Sequence, residues 1–170
     1  MEKFMKCEKC GGPSALHLGQ RYHYKECGLD NVYLINTELL VCKACDSTEV
    51  VIPQIKLLHS TLARAIALSP NALSGKEIRF LRRQLKMKAK EFAVYLRVDA
   101  STLSRWENGD QEPGSQSDSL VRYVFFRLFE ERLGKKQEGR MAEQIASTGF
   151  AKERHEVCIN VDNPSVYSYC

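Results

Sequence analysis

The sequence predicts an α+β chain: a small strand-built module with a helix at the N-terminus, then an all-helical domain. Three observations carry this prediction. Two Cys-x-x-Cys pairs, Cys7/Cys10 and Cys42/Cys45, bracket strand-like stretches. From Ser74 to Gly109, apolar residues recur at helical spacing between helix-capping residues. Between these regions Ser69-Pro70-Asn71-Ala72-Leu73 is rich in helix breakers and reads as a linker. The expected boundaries are 1–68 for the cysteine module and its helix, 69–74 for the linker, 75–134 for the helical domain and 135–170 for an extension that the pattern leaves mobile.

In the first module, each two-residue knuckle brings both of its sulfurs to one side of a tetrahedral metal ion. Gly11-Gly12 permits the backbone turn after the first pair. Val32-Tyr33-Leu34-Ile35 and Glu38-Leu39-Leu40-Val41 read as two short strands between the pairs, which makes a zinc ribbon. The predicted cofactor is one structural Zn2+ per chain, held by Cys7, Cys10, Cys42 and Cys45. Four thiolates leave no open position for catalysis, and metal affinity in so small a module is folding energy. Cys27 reads as a small buried hydrophobe, and His17, His23 and His59 as bystanders. Pro53 to Ala67 reads as a helix with proline in its first turn and a stripe of Ile55, Leu58, Leu62 and Ile66.

Ser74 with Glu77 three residues on is a capping box opening the next helix. Ile78, Leu81 and Leu85 form its inner face. A second helix spans about Lys88 to Leu96, with Phe92, Ala93 and Leu96 inward. Arg97-Val98-Asp99 is a turn, with Asp99 as N-cap of a third helix that buries Leu103 and Trp106 and stops at Gly109. Ser101, Ser104, Arg105 and Asn108 are left on its outer face. This is a helix-turn-helix, whose third helix enters a major groove. Arg105 is the expected base reader, because a guanidinium bonds guanine O6 and N7 together. Ser101 reaches a base or a phosphate, and Arg79, Arg83, Lys88 and Lys90 are expected phosphate contacts.

Charge supports that placement. The 170 residues carry a net charge of only +4, too little for indiscriminate polyanion binding. Yet Lys76, Arg79, Arg82, Arg83, Lys86, Lys88 and Lys90 face only Glu77 in the same stretch, whereas charges in the first sixty residues cancel. No segment has the length and apolarity of a membrane span, and MEKFMKCEKCGG lacks a signal-peptide core, so a cytoplasmic location is expected. Seven cysteines, an odd number in a reducing compartment, argue for metal rather than disulfides, and Cys158 and Cys170 are not expected to be ligands.

After the polar loop Gln111 to Ser119, Leu120 to Leu133 reads as a helix ended by Gly134. Its apolar residues exceed one stripe, and the surplus suggests a homodimer interface. Lys135 to Arg154 is charged and weakly patterned. Val157, Ile159 and Val161 alternate, which is compatible with a strand, a partner-binding segment or disorder.

Leu103 to Gly109 resembles the third helix of the phage-repressor-like (Xre/Cro) helix-turn-helix family. The resemblance implies a lambda-repressor-like all-α domain, usually dimeric, on a palindromic operator of double-stranded DNA. A Gln common in that family at the start of its second helix is Ala89 here, so that phosphate contact is not carried over. Cys7 to about Gly134 further resembles the MqsA-type antitoxins, YgiT-type zinc finger proteins. It shares both Cys-x-x-Cys pairs, their long separation, the connecting helix and Ser104-Arg105-aromatic-Glu107. The resemblance implies that the N-terminal module binds a toxin protein and that the chain represses its own operon. Of that family's base-reading Asn and Arg, four apart, the Arg is kept as Arg105 and the Asn is Ser101. The competing expectations are a zinc-ribbon regulator with no toxin, an RNA-binding ribbon, and a zinc hydrolase. The balanced charge of the ribbon disfavours the second. The hydrolase is disfavoured because the cysteines lack a nearby His-rich open site or acid–base pair.

Overall fold

A computed structural model describes residues 5–133, 145, 151 and 154–170. The fold is mixed α+β: an N-terminal sheet carrying the cysteine cluster, then helices. Its contacts define two compact units that do not follow chain order. One comprises Met1–Tyr24, Asn31–Thr61 and Glu156–Cys170; the other comprises Lys25–Asp30 and Leu62–His155.

The first unit is a six-stranded sheet of β1 (Met5–Lys6), β2 (Pro13–His23), β3 (Val32–Cys42), β4 (Thr48–Val51), β5 (Val157–Asn160) and β6 (Tyr167–Tyr169). Where the sequence suggests two short strands, β3 is one continuous strand of 11 residues. Asn36 adopts a left-handed φ of 61° in its middle, which is why the apolar alternation looks broken there. β2 lies antiparallel along one edge of β3. The other edge is divided: Val32–Ile35 pairs with β5 in parallel, and Glu38–Val41 pairs with β4 antiparallel. Pairing of Val32 with Val157 and Leu34 with Ile159 puts four fully buried side chains on one face. The open alternatives for the final segment thus resolve to a strand, with Val157, Ile159 and Val161 all buried.

The expectation of metal rather than disulfides needs correction at Cys158 and Cys170. They form a disulfide, with Cα atoms 6.1 Å apart. Cys158 pairs across the β5–β6 ladder with Ser168, and Cys170 follows on the same face two residues later. Neither cysteine carries a sequence signature of this pairing.

Helix α1 (Ile55–Ala67) begins after a turn at Pro53-Gln54. Leu58, Leu62 and Ile66 of its stripe are buried, but Ile55 is 46% exposed and does not belong to it.

The second unit contains α2 (Gly75–Gln84), α3 (Ala89–Leu96), α4 (Ala100–Asn108) and α5 (Ser115–Leu133). The capping box forms: Ser74 Oγ accepts from the Glu77 N–H, and the Ser74 N–H donates to Glu77 Oε2 at 2.8 Å. A second carboxylate cap opens α3, where the Lys88 N–H donates to Glu91 Oε2 at 2.7 Å. Arg97 stops α3 in the left-handed region at φ 56°, and Gly109 stops α4 at φ 80°. Asp99 is the N-cap of α4 by backbone geometry, but its side chain makes no cap hydrogen bond. The buried core joins Ile78, Leu81 and Leu85 with Phe92, Ala93, Leu96, Leu103, Trp106, Val121 and Phe125.

α5 starts at Ser115, five residues before the expected Leu120, because Ser115 to Ser119 tolerates helix beside a buried Asp118. Val121, Val124, Phe125, Phe126 and Phe129 are all buried, while Leu120 and Tyr123 are exposed. The apolar surplus is therefore largely used within the chain, and the argument from it to a homodimer loses its ground. The expected stop at Gly134 and nearly all of Lys135 to Arg154 lie outside the described residues.

The linker is held within the helical unit. Fully buried Arg122 donates to the carbonyls of Ala67, Ser69 and Asn71 and pairs with Asp118 at 2.6 Å. Asp118 in turn accepts from the Leu73 N–H. These bonds satisfy carbonyls that α1 leaves open at its end.

Candidate metal centre and nucleic-acid interface

The two knuckles are built alike. The Gly11 N–H donates to Cys7 O, and the Asp46 N–H donates to Cys42 O. Cys7 N–H then reaches Gly12 O, and Cys42 N–H reaches Ser47 O, both at 2.9 Å. Each loop closes through a left-handed residue after its second cysteine, Gly11 at φ 73° and Asp46 at φ 54°. Backbone N–H groups of Lys9, Gly12 and Ala44 point at Cys7, Cys10 and Cys42 Sγ, each at 3.4 Å. Gly12 has a steric role as well: a Cβ there would lie 2.9 Å from Ala44 Cβ and 3.3 Å from Cys10 Sγ.

The four Sγ atoms of Cys7, Cys10, Cys42 and Cys45 lie within 4.8 Å of one another, so all four predicted ligands come together. The closest pairs are Cys10–Cys42 at 3.4 Å and Cys7–Cys45 at 3.8 Å. A tetrahedral ion with bonds of about 2.3 Å sets its sulfurs roughly 3.8 Å apart, so the cluster fits a metal ion. Ser47 Oγ, not anticipated from the sequence, lies 3.2 Å from Cys7 Sγ and 3.1 Å from Cys45 Sγ. The Ser47 hydroxyl is the main reason Cys7 is drawn down to about 6, and it also lowers Cys45. Cys10 is favoured as thiolate by the Gly12 N–H, yet the sulfurs of Cys42 and Cys45 push it up to about 12. A cation among the four would relieve that mutual repulsion.

In the helical unit, Ser101, Ser104, Arg105 and Asn108 are exposed on one face of α4, opposite buried Leu103, Trp106 and Glu107. Arg105 Nη2 donates to Thr102 Oγ1 at 3.2 Å, which orients the guanidinium; Thr102 was not singled out by sequence. Arg83, Lys88 and Lys90 are exposed. Arg79 differs from them. Its Nη2 donates to Asn108 Oδ1 at 2.5 Å and its Nε to Glu107 at 3.4 Å, so two expected DNA contacts engage each other. Asn108 also donates to Ser104 Oγ at 3.4 Å.

Beneath this face, Arg82 grips Glu107 with Nε at 2.6 Å and Nη2 at 2.7 Å, and donates to Met87 O through Nη1. Gly75 lets α2 start against the end of α4, since a Cβ there would collide with the Trp106 carbonyl oxygen. A glycine directly after a helix N-cap, at a cost in helix propensity, was the available sequence signal.

Residues 78–116 match the helix-turn-helix family model, a span from within α2 to the start of α5. No curated protein and no solved structure matches the chain. The match supports a DNA-binding transcriptional regulator acting on double-stranded DNA, a class that is typically non-enzymatic. Among the described residues, no helix is long and apolar enough to cross a membrane.

Proposed function

We propose that this chain is a zinc-stabilised transcriptional repressor; the Xre/Cro resemblance, rather than any surplus apolar face, supports binding as a homodimer to a palindromic operator. One observation carries the DNA reading: Ser101, Ser104, Arg105 and Asn108 form an exposed stripe on the third helix of a matched helix-turn-helix. α4 lies in the major groove, Arg105 reads a guanine, and Ser101 contacts a base or phosphate near the helix start. Arg83, Lys88 and Lys90 hold phosphates, and Arg79 joins them by exchanging Asn108 for a phosphate oxygen. Zinc sits among Cys7, Cys10, Cys42 and Cys45 as a closed structural site. The resemblance from Cys7 to about Gly134 supports the finer reading, an antitoxin of a type II pair that binds its toxin through the N-terminal module and represses its own operon.

The test is binding of the metal-loaded chain to the DNA upstream of its own gene, against scrambled DNA of equal length at moderate salt. Equal affinity for both would sink the repressor reading. A second reading, a zinc-ribbon regulator with no toxin, is favoured by β5 and β6, which extend the N-terminal sheet with residues outside the stretch that resembles antitoxins. Co-purification of the natively expressed operon separates the two. A second chain bound to the N-terminal unit supports the antitoxin, and its absence supports the regulator alone.

A further inference from the structure

The geometry points to a redox latch: the Cys158–Cys170 disulfide pins β6 to the edge of the sheet, and reduction by a dithiol protein or small dithiol releases that strand. The two ends of the bond differ in access. Cys158 is buried within β5, whereas Cys170 is exposed beside β6. A cavity of about 320 Å³ lined by Ile35, Cys158, Asn160, Asn163, Val166 and Tyr167 opens on the Cys158 side, and a thiol approaches the bond from solvent at exposed Cys170.

The strand the bond restrains is short and shallowly buried. β6 is three residues long, pairs among the described residues with β5 at the end of the sheet, and leaves Ser168 exposed and Tyr167 and Tyr169 half-buried. Val166 before it is 58% exposed. So short an edge strand with so little buried area opens locally at low cost unless it is cross-linked. β5 contrasts with it: Val157, Cys158 and Ile159 are all buried and the strand also pairs with β3, so it stays when β6 leaves. Release bares the outer row of N–H and C=O groups on β5, an edge able to accept another strand.

The exchange balances. A thiolate of the dithiol attacks exposed Cys170 Sγ, the 158–170 bond breaks, and Cys158 departs as a thiolate that takes up a proton. The second thiol of the reductant then attacks the mixed disulfide, freeing Cys170 and leaving the reductant as its own disulfide. Two electrons and two protons pass to this chain. Cys7, Cys10, Cys42 and Cys45, held by metal, stay out of the exchange.

The test uses the full, metal-loaded chain equilibrated in glutathione buffers spanning cellular ratios, followed by alkylation, intact mass and hydrogen exchange. The expected result is that Cys158 and Cys170 gain alkylatable thiols within that span. Amides of Ser168 and Cys170, the two that face β5, should then exchange at least about tenfold faster, with the knuckles and α2–α4 unchanged. Cys170→Ser should reproduce that pattern without reductant, and reduced wild-type protein provides the same reading if the variant misfolds. Three results would overturn the latch: a pair that stays oxidised in every buffer, protection of β6 that persists after reduction, or loss of protection spreading across the whole sheet.

Discussion

Arg82 and Glu107 meet through two parallel N–H···O bonds of 2.6 and 2.7 Å, joining α2 to α4 beneath the face that carries Arg105. Glu107 is 5% exposed and Arg82 13%, so neither charge has much water to fall back on. Removing Glu107 strands Arg82, and removing Arg82 leaves Glu107 with the longer 3.4 Å bond from Arg79. Arg82→Met is expected to destabilise the helical unit by about 3–5 kcal/mol, and the double change Arg82→Met with Glu107→Leu to recover much of that loss. Denaturant unfolding of the four proteins as a double-mutant cycle measures it; additive losses would contradict the pairing.

Gly75→Ala forces a methyl group into the Trp106 carbonyl. Although alanine is the better helix former, the collision should dominate, with a loss of about 1–3 kcal/mol. A stabilised variant in thermal unfolding would show that α2 and α4 do not approach so closely.

Cys42→Ser should abolish stoichiometric metal binding and unfold the knuckle region, as a strong chelator should in the unaltered chain. The pH dependence follows from Cys7, whose ordinary value of 9.0 is drawn down to about 6. A lowered thiol stabilises the fold fully above about pH 9 and loses that contribution as pH falls through about 6. Metal retention should fail on acidification, because protons compete with the ion for the four thiolates. Retention unchanged at pH 5, followed by metal analysis after dialysis, would speak against thiolate ligands.

Arg105→Ala should cost about 1–3 kcal/mol on the preferred operator and relax base choice at one position. Lys90→Ala should instead weaken all sequences alike and lower the salt slope by about one. If Arg105→Ala lost equally on random DNA, Arg105 would be a phosphate contact.

Much of the helical unit was legible in the sequence because its signals are local. Ser74 with Glu77, the spacing of Ile78, Leu81 and Leu85, and the Asn108-Gly109 stop each act within a turn or two. The cysteine cluster was equally legible, since the spacing of each pair encodes half a tetrahedron. β2 was not: Leu16 to Arg21 are all exposed, so partnership with β3 rather than burial holds them, and pairing leaves no periodic trace. The Cys158–Cys170 bond was missed because a diagonal cross-strand pair has no characteristic spacing. Arg79 was assigned to DNA by charge alone, and only geometry reveals its bond to Asn108.

The split edge of β3 has a consequence for how the chain is made. The slot at Val32–Ile35 is filled by residues more than a hundred positions later. On the ribosome, where chains emerge N-terminal end first, the knuckles and the helices can assemble while that slot still waits. The sheet is thus finished last. A translation product cut short between α5 and β5 would leave with α4 intact and a raw, strand-hungry flank.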